Sequence, residues 1–176
     1  MTPAAVFFCG GLLLSGGFAP LAAALLHELG HLAVLRLGRM KAEEIEVGLS
    51  GADIRFTGSC SYRFECLAAC AGCAVNLLTA GLCALFGGFP SLCAASLSLA
   101  LLNAVPALPL DGGLFLHALL SDVFSPVAAD AALRILSRLI AVFFGLAASF
   151  CLFYDIGGCL PVPLAMFCVL CWRNGG

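Results

Sequence analysis

Three side chains suited to metal chemistry lie close together in the sequence His27-Glu28-Leu29-Gly30-His31. On a helix, residues four positions apart share one face, so His27 and His31 can direct imidazole nitrogens at a single Zn²⁺ ion. Zinc lowers the pKa of a bound water toward about 7, and the Glu28 carboxylate beside the pair can act as its general base. The spacing therefore predicts hydrolytic zinc chemistry.

A catalytic zinc site needs a third protein ligand and one open position. Asp111 is the candidate, because it follows a segment, residues 103–110, that contains two prolines and is followed by two glycines. These residues predict a break in a helix. A break allows a carboxylate to leave the helical register and approach the metal. We therefore predict one Zn²⁺ per chain, bound by His27, His31 and Asp111.

The elements that position these residues are strongly apolar. The chain of 176 residues is 62% hydrophobic and 10% charged, with a mean hydropathy of +1.12, whereas a soluble domain has about 25% charged residues. This composition excludes an ordinary soluble protein and predicts a single integral-membrane domain over residues 1–176. An ionisable side chain at bilayer depth costs about 2.5–3.5 kcal/mol, which favours a functional role for the motif.

Apolar segments compared with the roughly 20 residues that span a bilayer predict an all-α polytopic fold with about six transmembrane helices. The first segment lacks the basic start of a signal peptide, and we expect it to remain as a span. The segments are 3–15, 20–37, 66–86, 92–120 with an interruption, 132–154 and 160–172.

The basic residues predict the orientation of these spans. With six spans, all eight Lys and Arg residues fall on one side, and the positive-inside rule places that side, with both termini, in the cytoplasm. His31 precedes the first of them by five residues, so we expect a multi-pass protein of the cell membrane with its metal site toward the cytoplasm. The eight are Arg36, Arg39, Lys41, Arg55, Arg63, Arg134, Arg138 and Arg173.

The segment 41–63, between the second and third spans, is the only long polar stretch of the sequence. Ile45 and Val47 alternate with glutamates, and Ile54 and Phe56 alternate with polar residues, which predicts a small β-hairpin at the membrane surface. An edge strand there can pair with the unwound backbone of a substrate helix. A hairpin that only links two spans is the alternative.

Three sequence elements, taken together and in this order, resemble the site-2 protease family of intramembrane metalloproteases. They are HExxH at 27–31, a Gly-x-x-x-Asn pattern at Gly72 and Asn76, and an Asn-x-x-Pro-x-x-x-x-Asp-Gly element at Asn103, Pro106, Asp111 and Gly112. The resemblance implies that His27, His31 and Asp111 bind zinc and that Glu28 is the catalytic base. It also implies that the substrate is a membrane-spanning helix. The small size and six predicted spans look most like the bacterial branch that contains the stage-IV sporulation protease.

Asn76 and Asn103 have two open interpretations. An amide at bilayer depth can hydrogen-bond a substrate backbone or a developing oxyanion, which makes both residues candidates for substrate binding. It can equally serve packing between helices.

The chain also contains eleven cysteines, among them the CxxC pairs Cys70/Cys73 and Cys168/Cys171. In apolar spans a thiol behaves as a small hydrophobe, so we interpret most of them as packing residues. A thiol-redox function would leave the histidines and the break before Asp111 unexplained.

Two further functions are alternatives to proteolysis. One is a divalent-metal transporter of the ZIP type, although such permeases usually carry proline where this chain has Gly30 and an acidic residue where it has Leu32. The other is a catalytically silent membrane scaffold. The expected partners are a membrane-spanning protein substrate and the lipid bilayer, with no nucleic acid.

Overall fold

A computed structural model describes residues 18–38, 41–48, 51–57, 61–155 and 161–174. Within these ranges the chain forms helices joined by short connections, with one pair of strands. The elements are α1 (Ala19–Leu37), β1 (Lys41–Gly48), β2 (Gly51–Thr57), α2 (Tyr62–Phe86), α3 (Pro90–Asn103), α4 (Asp111–Val123), α5 (Pro126–Phe153) and α6 (Pro161–Asn174). The predicted span 3–15 lies outside the described residues.

Three of the helices, α1, α2 and α5, are long and apolar enough to cross a membrane, and α3 is a shorter apolar helix. Large apolar side chains are exposed along them, for example Leu78, Leu139 and Phe143, each more than 60% exposed. Such surfaces are unfavourable in water and suit a lipid environment. The length and composition of these helices indicate a membrane protein, while the number of six spans remains a prediction.

Local sequence explains where several helices begin and end. Ser61 precedes α2 and its Oγ accepts a hydrogen bond from the Phe64 N–H at 3.3 Å, and Ser125 caps α5 in the same way through the Ala128 N–H at 3.2 Å. Both are N-cap interactions of the usual kind. Helix α2 ends at Gly87, whose φ of 65° is readily adopted by glycine.

The strands β1 and β2 lie between α1 and α2, in the polar segment of the sequence. They are antiparallel, with Ile45 opposite Ile54 and Val47 opposite Ala52, and their register is irregular between Ala42 and Glu44. Their location relative to a membrane remains a prediction.

Helix α2 is central to the part of the bundle that carries the motifs, because it packs against α1, α3 and α4. It approaches α1 closely at Gly30, where an added Cβ would lie 2.8 Å from the Ala71 carbonyl oxygen. Small residues at helix interfaces permit such close backbone approach in membrane proteins.

The predicted fourth span, 92–120, is divided into α3 and α4 by residues 104–110. The segment turns through local hydrogen bonds, such as that from the Leu110 N–H to the Ala107 carbonyl at 2.8 Å. Ala107 and Leu110 are fully buried in a cluster with Ala141 of α5 and Phe167 of α6. Protein therefore surrounds this irregular backbone, as is required at membrane depth.

Candidate metal centre

Helix α1 contributes the two imidazoles of the candidate site. His27 is fully buried and His31, one turn later, is partly exposed. Their Nε2 atoms are 3.2 Å apart, so the helical spacing brings both nitrogens to one point, as predicted from the sequence.

Helix α4 contributes the carboxylate. Asp111 is the first residue of this helix, directly after the irregular segment, and its side chain is 3% exposed. Its Oδ2 atom is 2.9 Å from His27 Nε2 and 3.2 Å from His31 Nε2. The structure thus brings together three residues that are up to 84 positions apart in the chain, with their ligand atoms all within 4.8 Å of one another.

The residues fit a zinc ion in both donor type and space. Two imidazoles and one carboxylate are the ligand set of many catalytic zinc sites. Gly72 of α2 faces the histidines, and a Cβ at that position would lie 2.7 Å from His27 Nε2 and closer still to His31 Nε2. The space beside both nitrogens is therefore kept free by the absence of a side chain at residue 72.

Helix α2 also orients the histidines. The Nδ1 of His31 is 2.8 Å from the Ala68 carbonyl oxygen, which can only accept a hydrogen bond, so Nδ1 carries the hydrogen and the Nε2 lone pair of the neutral ring faces the site. The Nδ1 of His27 is 3.2 Å from Nδ2 of Asn76, a fully buried amide.

Glu28 lies next to His27 on α1 and is half-buried. Its role as a general base remains a prediction. Asn103 is the last residue of α3 and is fully buried; its Nδ2 donates to the Leu99 carbonyl at 3.0 Å. Its Oδ1 has no hydrogen-bond partner in the described part of the chain. Substrate binding by Asn76 or Asn103 likewise remains a prediction.

Sequence reasoning missed two neighbours of the site. The Ala68 carbonyl belongs to the backbone and has no sequence signal. Cys73 has its Sγ 3.8 Å from Asp111 Oδ2 and 3.7 Å from the Ala100 carbonyl oxygen. Its position directly after Gly72 was a usable signal, but the chain's many apolar cysteines obscure it.

His117 of α4, the third histidine of the sequence, lies apart from this group and pairs with Asp130 of α5 at 2.9 Å. The candidate centre therefore contains His27, His31 and Asp111, with Gly72, Asn76 and Ala68 of α2 in contact with the imidazoles.

Comparison with known proteins gives one kind of similarity. Neither the models of known protein families nor the curated proteins yield a match to this sequence. Among solved structures the chain is similar to the Site-2 Protease from Methanocaldococcus jannaschii, with a TM-score of 0.69 and 19% sequence identity, over 99% of this chain and 88% of that one. At this identity the similarity shows a shared fold.

Proposed function

We propose that this chain is an intramembrane zinc metalloprotease of the site-2 protease family. It hydrolyses a peptide bond in or near a transmembrane segment of a membrane-tethered substrate. The observation that carries the proposal is the meeting of His27, His31 and Asp111 at one point inside a bundle of apolar helices. The fold shared with a site-2 protease supports the same conclusion.

Each residue of the centre has a distinct task in this proposal. His27, His31 and Asp111 hold one Zn²⁺, which when bound polarises the scissile carbonyl and lowers the pKa of water. Glu28 accepts a proton from the attacking water and later returns it to the departing amine. The apolar helices around the centre limit bulk water, which strengthens these electrostatic interactions.

The substrate must present an extended backbone to this centre. Peptide bonds within a helix are hydrogen-bonded internally, and unwinding exposes groups that cost several kcal/mol each in lipid. The edge of the β1–β2 hairpin can pair with such a segment by strand addition. The Asn103 amide, whose Oδ1 is buried and lacks a hydrogen-bond partner among the described residues, offers a further acceptor for a substrate N–H.

The membrane arrangement and the branch of the family belong to the same proposal. Six spans in a single domain, with both termini and the centre toward the cytoplasm, follow from the distribution of apolar and basic residues. A short chain of this layout fits the bacterial branch that contains the stage-IV sporulation protease, so the proposed substrate class includes membrane-tethered regulators.

Substitution Glu28→Gln tests the chemistry directly. The amide cannot accept the proton, and general-base catalysis typically contributes 10²–10⁴-fold, so we expect cleavage to fall by at least about 100-fold while zinc content is unchanged. Purified protein in detergent is incubated with a panel of single-span membrane proteins tagged at both ends, and the products are resolved by immunoblot. Zinc is measured on the same samples.

The matched control is Glu65→Gln, the same chemical change at an exposed residue in the first turn of α2, which we expect to leave cleavage unaltered. Full cleavage by the Glu28→Gln variant would refute the mechanism. Saturable uptake of radioactive zinc by vesicles containing the unmodified protein, without proteolysis, would favour the transporter instead.

A further inference from the structure

The two metal-facing histidines differ in what holds their second ring nitrogen. For His31 that partner is the Ala68 carbonyl, 2.8 Å from Nδ1. A carbonyl oxygen can only accept, so the hydrogen of the neutral ring is fixed on Nδ1 and the Nε2 lone pair faces the centre.

For His27 the partner is an amide. The ring is fully buried, its Nε2 is 2.9 Å from Asp111 Oδ2, and its Nδ1 is 3.2 Å from Asn76 Nδ2. The amide can donate through Nδ2 or accept through Oδ1. Asn76 therefore permits either tautomer of His27, and its orientation decides whether Nε2 presents a lone pair or a hydrogen.

The surroundings of Asn76 favour its use as an acceptor once a metal is bound. Oδ1 is buried and has no hydrogen-bond partner within the described ranges. Rotating the amide by half a turn exchanges Oδ1 and Nδ2 in nearly the same space, so one hydrogen bond to Nδ1 is made in either orientation. Coordination through Nε2 places the hydrogen of His27 on Nδ1, and that hydrogen needs an acceptor.

We propose that Asn76 is a positioning residue for His27: its Oδ1 accepts the Nδ1–H hydrogen bond and holds the His27 Nε2 lone pair toward the metal. This inference rests on the proposed zinc function of the same site. It gives Asn76 a role that acts through a metal ligand rather than through contact with substrate. Helix α2 thereby supports both histidines, one through a backbone carbonyl and one through a side-chain amide.

Asn76→Leu tests the proposal because leucine is similar in size to asparagine but cannot accept a hydrogen bond. Loss of such a supporting partner typically lowers metal affinity 10–100-fold, and we expect a loss of this size for Zn²⁺. Affinity is measured on the full-length purified protein by competition with a chromophoric chelator. Substitution of Co²⁺ gives a second readout, because its d–d absorption reports the ligand geometry, and we expect a weaker and shifted spectrum.

Asn76→Asp is the conservative variant. Its carboxylate accepts the same hydrogen bond, so we expect zinc affinity at or above that of the unmodified protein and a preserved Co²⁺ spectrum. Thr79→Val is the matched control on α2, since the Thr79 hydroxyl donates to the Val75 carbonyl of its own helix at 2.9 Å. We expect this variant to bind zinc normally.

The outcomes separate this inference from the function on which it rests. If the unmodified protein binds no zinc, the proposed function fails. If it binds zinc and the folded Asn76→Leu protein binds it equally tightly with the same Co²⁺ spectrum, the role of Asn76 alone is overturned. Loss of zinc in Asn76→Asp to the same extent as in Asn76→Leu also overturns it. Should the leucine variant fail to fold, Asn76→Ala replaces it, with the same expected loss and the same opposing result.

Discussion

The capacity of this centre to hold a metal depends on single atoms. The two Nε2 atoms and Asp111 Oδ2 lie within 3.2 Å of one another, and each ligand comes from a side chain that is at least mostly buried. At such distances a change of one carbon atom nearby alters whether an ion fits. Gly72 occupies the position where this effect is largest.

Gly72→Ala should remove metal binding. The new Cβ would meet Nε2 of both His27 and His31, so the imidazoles must move away from the point where a ligand distance of about 2.0–2.1 Å to zinc is possible. We expect the variant to fold and to lose most of its zinc, measured by elemental analysis after purification.

Gly81→Ala provides the control on the same helix. A Cβ there meets nothing within 4 Å, and alanine favours a helix over glycine by about 0.5–1 kcal/mol. Zinc content should be unchanged and thermal stability slightly higher. Normal zinc content in Gly72→Ala would show that the space beside Gly72 is not the metal position.

At the scale of elements, the irregular segment between α3 and α4 determines where Asp111 lies. The segment is held from the side by α5, since the Leu108 N–H donates to the Ser137 Oγ at 3.0 Å and Ser137 is fully buried. Gly112 contributes as well, because an added Cβ would meet the Ala104 carbonyl oxygen. The start of α4 is therefore packed directly against the end of α3.

Ser137→Ala should loosen this arrangement. It leaves the Leu108 N–H without its acceptor, which costs about 1–3 kcal/mol for a buried group. For a chain of this size each kcal/mol corresponds to roughly 2–4 °C in Tm. We expect a lower Tm in detergent, measured by differential scanning fluorimetry.

Ser149→Ala is the comparison on the same helix. The Ser149 hydroxyl is exposed and donates to the Gly145 carbonyl of α5 itself at 2.9 Å, so its removal should change the Tm little. Equal Tm values for the two variants would mean that the Ser137 hydrogen bond does not stabilise the segment.

At the scale of the whole molecule, apolar surface and charge have separate locations. Exposed leucine and phenylalanine side chains cover α1, α2 and α5, whereas the basic residues cluster at predicted connections and at the C-terminal end. The shared fold with a site-2 protease at 19% identity indicates that this architecture tolerates extensive sequence change while the helices keep their arrangement.

The charge distribution predicts where the C-terminus lies. Arg173 and the basic residues near 36–63 should be on the cytoplasmic side. A fluorescent protein that matures only in the cytoplasm, fused after residue 176, should therefore fluoresce. A fusion to alkaline phosphatase, which is active only outside the cytoplasm, should be inactive, and the reverse pattern would contradict the predicted orientation.

The sequence by itself determined the features that depend on local spacing. Two histidines four residues apart must share a helix face, and the prolines and glycines around 103–113 must interrupt a helix. The structure agrees at both places, since His27 and His31 converge and the predicted fourth span is divided into α3 and α4. The apolar composition likewise required a membrane protein, whatever the order of contacts.

Tertiary structure decided the contacts between residues that are distant in the chain. The location of Asp111 beside His27, the Ala68 carbonyl behind His31 and the Asn76 amide behind His27 all depend on how α2 and α4 pack against α1. Local pattern cannot give these contacts, because the rotation of one helix relative to another is set by side-chain packing at their interface. The motifs identified the residues, and the packing of α2 against α1 determined which of their atoms face the centre.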